Sequence, residues 1–277
     1  MCADSCALCV TKGGFRERFM CPFADWCEED EEAVGNHRLK VLTGITANLT
    51  EARDATAQIV PTHYASEENI AALLERLGKP ASAKYIRNKL PEGLRIRSGD
   101  LGEILGTEYV AEQTTFAVPI KRLRWKDHRN MAMRGDDIIA VRMPEEGPPL
   151  EFLKAETKSR ATLPADVVSQ ARTALNKDGG LPSPHALSFV ADRLRDIGEV
   201  QLADAIDDAQ LVDGILPAQV EHMLFVFCGN SPTALLKTDL VTYGGPVVQS
   251  NVGLRIAAHQ QFIQDVYAKV IADGDDG

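Results

Sequence analysis

The residues best suited to chemistry lie between Gly135 and Arg160, in the stretch GDDIIAVRMPEEGPPLEFLKAETKSR. Two acids, Asp136 and Asp137, open it, and Glu156-Thr157-Lys158 stands near its end. Alternating apolar residues flank a breaker cluster of Pro144, Gly147, Pro148 and Pro149, so the spacing predicts a β-hairpin with arms at 137–143 and 150–158. Centring the loop between Glu146 and Gly147 puts Asp137 opposite Glu156. Opposed side chains on one face of an antiparallel pair sit roughly 4.5–5.5 Å apart at Cβ. Both carboxylates can then reach one Mg²⁺ or Mn²⁺, since Mg²⁺ takes oxygen ligands at about 2.0–2.1 Å. Lys158 leaves the same face about 6.6 Å further along the strand. Asp136 is one residue out of phase, which favours Asp137 as the ligand. A slip of one residue reverses that choice and makes Asp136 the ligand. A metal held by two acids beside a lysine suits phosphodiester hydrolysis. The metal neutralises phosphate charge and acidifies its bound water. The ammonium supplies a compact positive charge for the nucleophile or the developing oxyanion.

Several elements must position this hairpin. Arg97 to Gly106 reads as the start of a helix carrying Ile104, Leu105, Tyr109 and Val110. Glycines there cost about 1 kcal/mol each relative to Ala, so they imply close approach of another chain segment or a ligand. Glu103 faces the hairpin acids if this helix packs on the sheet. Phe116–Ile120 reads as a short strand. Lys121, Arg122, Arg124 and Lys126, with Trp125 among them, read as a phosphate-contacting track or as an exposed strand edge kept soluble by charge. Arg134 and Arg160 flank the hairpin and belong with the same candidate DNA-binding set.

Before about residue 95 the chain reads as a smaller N-terminal domain, 1–95, followed by a larger one, 96–277. His37–Leu49 looks like a strand broken by Gly44, and Ser66 caps a helix that ends at Gly78. Pro80 starts another helix, over 81–90. His63 and Tyr64 read as a Pro-flanked loop, and Glu28–Glu32 as a solvated acidic loop. Five of the six cysteines lie in the first tenth of the chain, and Cys6, Cys9, Cys21 and Cys27 could supply zinc thiolates, although Cys21 and Cys27 are unusually far apart. Downstream, helices are expected at 164–177, 186–197, 199–207 and 259–271. His222–Cys228 reads as a central strand and Val252–Ala257 as another, with a disordered acidic tail from Asp273. A net charge of −10 over 277 residues means that any contact with phosphates is local. No apolar run has the length of a membrane span and no leader pattern opens the chain, so a cytoplasmic protein is expected.

An Asp followed one strand later by Glu-x-Lys resembles the PD-(D/E)xK nuclease superfamily. Ser98-Gly-Asp-Leu-Gly-Glu103, the Lys121–Lys126 run, Asn130-Met-Ala-Met-Arg-Gly-Asp-Asp137 and Ala155-Glu-Thr-Lys158 occur in order. Together they resemble the HamA family, nuclease-like subunits of the Hachiman anti-phage system, to which the small subunit of the Abp pair is similar. The resemblance implies an α/β fold: a restriction-endonuclease-like core, its mixed sheet flanked by helices. It implies a Mg²⁺-dependent DNA nuclease working beside a superfamily 2 helicase, with Glu103, Asp137, Glu156 and Lys158 as site residues and the three acids as metal ligands. Two other readings stand beside it: a DNA-binding or regulatory module of weak activity, and a zinc-binding interaction protein built on the N-terminal cysteines, which the resemblance does not explain.

Overall fold

The computed structural model describes residues 22–143 and 149–275. The chain opens with α1 (Phe23–Trp26), then β1 (Cys27–Val34) and β2 (His37–Gly44). Four helices follow: α2 (Leu49–Tyr64), α3 (Glu67–Leu77), α4 (Lys79–Lys89) and α5 (Leu94–Gln113). A short 3-10 turn, Arg122–Trp125, precedes β3 (Ile138–Arg142) and β4 (Glu151–Arg160). Then come α6 (Ala165–Leu175), α7 (Pro184–Asp196), α8 (Val200–Asp208), β5 (Val220–Cys228), α9 (Thr233–Thr242), β6 (Val248–Arg255) and α10 (His259–Asp275).

One six-stranded sheet runs through the molecule in the order β1-β2-β6-β5-β4-β3. Its centre is parallel and its two edges are antiparallel hairpins. Alternation along β3 assigns the two faces. Ile138 and Ala140 join the core beneath α5, with Leu101, Ile104 and Phe225, whereas Ile139 and Val141 join the core beneath α7, with Leu187 and Val190. The fold class expected from the sequence, an α/β core with helices on both faces of a mixed sheet, is the one found.

The hairpin register follows the loop centre. Ile138 pairs with Ala155 and Arg142 with Glu151, so one further step sets Asp137 opposite Glu156. Loop residues 144–148 lie outside the described residues. The α5 glycines do bring chain segments together: a Cβ on Gly102 would meet Ser159 Cβ at 3.1 Å, and one on Gly106 would meet Thr157 Cγ2 at 3.0 Å. Bare backbone on this face lets α5 lie close enough to β4 for Glu103 to reach the sheet edge.

Three local expectations are corrected. Glu28–Glu32 is not a loop but most of β1, fully paired with β2 from Cys27↔Gly44 to Val34↔His37. Its acids point to solvent on the sheet's edge strand, where charge discourages further pairing. His63 and Tyr64 are not in a loop but in the last turn of α2, which runs through Pro61. Ala52, Thr56, Ile59, Val60 and His63 form its buried stripe. Among the described residues Phe116–Ile120 makes one isolated bridge, Ala117 with Val141, and not a strand. The expected boundary near residue 95 falls between α4 and α5, yet β1 and β2 complete the same sheet as the later strands, and α2 packs on α10. The tail expectation also shifts, since α10 continues to Asp275. Among the described residues no helix is long and apolar enough to cross a membrane.

Candidate active site

The site forms where β3 begins and β4 passes it. Asp137 precedes β3 by one residue, and its carboxylate meets the backbone of β4 just past the last residue that β3 pairs, Ala155. Its Oδ2 accepts the Thr157 amide at 2.8 Å and the Thr157 hydroxyl at 3.1 Å. This clamp fixes Asp137 against the strand that carries Glu156 and Lys158. Lys158, two residues on, donates its ammonium to Glu156 Oε1. The Glu156 and Lys158 side chains are only 14% and 19% exposed, which places a carboxylate in surroundings that oppose its charge. Burial, and then the negative charge of Asp137, push the Glu156 carboxyl up to about 7, against the opposing pull of Lys158 and Arg122.

Glu103 reaches the same place from α5 but holds a different partner. The Arg122 guanidinium grips it through Nε at 2.7 Å and Nη2 at 2.8 Å, then extends Nη2 to Asp137 Oδ1 at 2.9 Å. Its Nη1 donates to the backbone carbonyls of Asp136 at 2.9 Å and Arg134 at 3.3 Å. Burial raises the Glu103 carboxyl, with Arg122 acting in the opposite direction. Asp136 turns away from this cluster. Its Oδ2 caps the Ser183 amide at the start of α7, at 2.8 Å, and its Oδ1 lies 3.5 Å from the buried Lys154 ammonium. The structure therefore joins Glu103 to Asp137 through Arg122 on the α5 side of β4, and pairs Glu156 with Lys158 on the alternate face, where their strand partners are Leu224 and Val226; Asp136 turns to that second face, at Lys154.

The basic run does not form an exposed track. Lys121 donates to Thr62 Oγ1 at 2.9 Å and lies 3.2 Å from Glu108, and Arg124 donates to the Thr62 carbonyl at 2.9 Å. Lys126 is buried against Asp100, at 2.7 Å. The 3-10 turn folds these cations onto α2 and α5, whose acids need partners once buried. Of the six candidate DNA-binding cations, Arg134 and Arg160 stand exposed. A cavity of about 480 Å³ opens beside Asp137, walled by Glu103, Arg122, Trp125, Arg134 and Phe189.

Sequence reasoning missed a second polar group on the same helix. Asp100 accepts the Tyr64 hydroxyl at 2.7 Å, and Tyr64 lies 3.0 Å from the Tyr267 hydroxyl. Asp100 is three residues before Glu103, the spacing of neighbours on a helix face, and Lys126 is four after Arg122. Those matched spacings were the available signal.

Carboxylate oxygens are the donors a hard divalent ion prefers, and the negative charge of Asp137 acts on Glu156. Among the described residues no three acid, His or Cys side chains come together as a ligand set, because Glu103 is turned to Arg122. Of the candidate zinc thiols, Cys6, Cys9 and Cys21 lie outside the described residues, and Cys27 is buried in the apolar cluster that holds Phe23 and Trp26.

A family model described as HamA matches residues 22–270. The chain belongs to the HamA family. A curated relative, Hachiman protein HamA of Bacillus cereus, is 25% identical over 238 residues, which cover 84% of this chain and 85% of that protein. HamA is a Hachiman anti-phage defence protein, so the family expected from Ser98–Glu103 and the hairpin motifs is the one found. The HamA match extends well before residue 95, so the region of β1, β2 and α2 belongs to the family's common body.

Proposed function

We propose that this chain is a metal-dependent deoxyribonuclease of an anti-phage defence complex, held and gated by a partner superfamily 2 helicase. What supports the reading is that Asp137 is clamped by Thr157, which stands between the two members of a Glu156–Lys158 ion pair on β4, with the charge of Asp137 acting on Glu156. Asp137 and Glu156 would hold Mg²⁺ or Mn²⁺ through carboxylate oxygens. Bound there, the ion supplies charge neutralisation on the scissile phosphate and a more acidic water. Thr157 keeps Asp137 aimed, through its amide and its hydroxyl. Lys158 keeps an ammonium beside Glu156, where it can face an attacking water or the charge that develops on phosphate oxygen.

The inward basic run supports dependence on a partner. Lys121, Arg122 and Lys126 are paired with acids of the same chain, Arg124 is tied to the Thr62 carbonyl, and the net charge is −10. Affinity for DNA follows the number of phosphates that cations can neutralise, so this chain alone should hold DNA weakly. A helicase bringing the strand to Arg134, Arg160 and the cavity beside Asp137 supplies what the surface lacks. The Arg122 contacts also favour a second reading: a regulatory subunit of low activity, in which two of the acids serve to hold an arginine.

Reconstitution with the helicase on DNA with free ends, with and without ATP, tests both. Cleavage that requires Mg²⁺ or Mn²⁺, and that disappears in Glu156→Ala/Lys158→Ala while helicase binding persists, is the expected result. Undiminished cleavage by the folded double variant contradicts the nuclease reading. Wild-type complex that binds DNA but never cuts it supports the regulatory one.

A further inference from the structure

We propose that the cavity at the open edge of β3 is a base pocket, which takes one unpaired, unstacked nucleobase of a DNA strand whose phosphate lies at Arg134. The inference rests on the deoxyribonuclease reading above and names the substrate of that site as single-stranded or frayed DNA. It requires no ion.

Three observations carry it. First, the cavity has the size of a ligand site. Its volume of about 480 Å³ falls within the roughly 300–1,000 Å³ of sites that enclose small molecules. Second, two aromatic rings wall it. Trp125 and Phe189 stand edge to face, with centroids 6.2 Å apart and planes at 89°. The Arg193 guanidinium lies 5.9 Å from the Trp125 centroid and 5.5 Å from that of Phe189, which holds the pair in place. A flat heterocycle can lie on one ring and meet the edge of the other. Third, the sheet leaves hydrogen-bonding groups there. β3 is the last strand of the sheet, and Ala117 exchanges both backbone bonds with Val141, at 2.8 and 2.9 Å. Alternate residues of a strand turn their backbone groups the same way, so Ile139 also presents its N–H and C=O outward, at the cavity it lines. The same register sets Pro119 opposite Ile139, and Pro119 has no N–H to give. Pairing stops there, and among the described residues no donor takes up the Ile139 carbonyl. An adjacent donor and acceptor match the polar edge of a base.

Strand selectivity follows. In a duplex both faces of a base are stacked and its pairing edge is occupied. Only an unpaired base can offer a face to a ring and an edge to Ile139 at once. Arg134 is exposed and lines the same cavity, so it is the cation that meets the phosphate, whereas Arg122 and Lys126 are taken by Glu103 and Asp100.

The test is binding of the full chain to a single-stranded oligonucleotide and to a blunt duplex of the same sequence, at low salt with chelator, so that no cleavage intervenes. Wild type should bind the single strand at least about tenfold more tightly, and a 5-iodouracil in that strand should photocross-link to Trp125 or Phe189. Trp125→Ala should lose about tenfold in single-strand affinity, as loss of one stacked base does, and Trp125→Phe should keep most of it. Ala132→Trp fills the cavity from an exposed position, without repacking the core, and should abolish the preference. Equal affinity of wild type for the two DNA forms overturns the proposal, as does a wild-type preference in Ala132→Trp. A deoxynucleoside monophosphate that binds as tightly as the oligonucleotide overturns it too, since the strand then contributes nothing. In each of these cases, metal-dependent cleavage that is lost in Glu156→Ala/Lys158→Ala leaves the nuclease reading standing. Preference for the single strand without any metal-dependent cleavage removes that reading and assigns the pocket to the regulatory subunit.

Discussion

Two acid clusters along helix α5 solve the same problem differently. Asp100 and Glu103 lie one turn apart, both are nearly buried, and both take a cation from the turn at Arg122–Trp125 and the residues beside it. On the α2 side Asp100 meets Lys126 and the Tyr64 hydroxyl, with Tyr267 behind, and Glu108 meets His63 and Lys121. That side is closed: each acid has its counter-charge and the groups lie in the core. On the sheet side Glu103 and Asp137 share one arginine, while Glu156 is bonded to Lys158 and feels the charges of Asp137 and, more weakly, Arg122. On the proposed nuclease reading, the two clusters differ in charge balance and not in burial. A closed pair holds helices together, whereas a cluster one cation short is prepared to receive one.

Substitutions should separate the two sides by which property they change. The largest effect belongs to Lys158→Ala. It should lower metal-dependent cleavage by about 10²–10³-fold, the usual cost of one charge-stabilising group, while melting within about 2 °C of wild type. A large loss of stability without loss of cleavage per folded molecule would place Lys158 with the structural side. Asp100→Ala is the mirror case. Leaving Lys126 buried without its partner should cost roughly 3–5 kcal/mol. That lowers the melting temperature by about 10 °C for a chain of this size, with cleavage by the remaining folded protein changed less than tenfold. Thermal denaturation beside an activity assay checks both. Thr157→Val keeps the amide contact to Asp137 and removes the hydroxyl one. It should weaken Mn²⁺ binding about tenfold in calorimetry, as loss of a group that orients a ligand does.

The smallest effect is acid sensitivity on the closed side. Burial, and then the charge of Lys121, hold His63 down near 4, below its ordinary 6.5. Between those values the unfolded chain binds the proton and the folded chain does not, so stability is present at neutral pH and is lost as pH falls from about 6.5 towards 4. Burial tends to raise Glu108, but His63 and Lys121 override it and hold the carboxyl near 2. Its contribution is present above 4.5 and is also lost as pH falls. The stability difference between wild type and His63→Gln should therefore shrink from pH 7 to pH 5, as read by denaturant titration. A difference that stays constant with pH would mean that His63 titrates normally.

The legible parts of this chain were those written in local pattern. The proline-glycine cluster fixed the hairpin's centre, and a side-chain period of two then put Asp137 opposite Glu156. The α5 glycines announced a close approach, and β5 was apolar enough to read as central. What stayed hidden depended on partners distant in sequence. The acids Glu28–Glu32 say nothing about strand or loop until β2 pairs with them. The stripe of α2 is diluted by Thr56 and His63 and interrupted by Pro61. Lys121–Lys126 reads as a basic surface because the sequence shows the cations but not Glu103, Asp100 and Glu108 waiting on another helix.

The central claim of the proposed function, that Asp137 and Glu156 hold a divalent ion, is tested most directly by Mn²⁺ titration of wild type against Asp137→Asn and Glu156→Gln, with circular dichroism to confirm that all three are folded. Saturable binding of one ion by wild type, weakened at least about a hundredfold in each variant, is the predicted result. Equal binding by all three, or no binding by wild type at millimolar Mn²⁺, would contradict it.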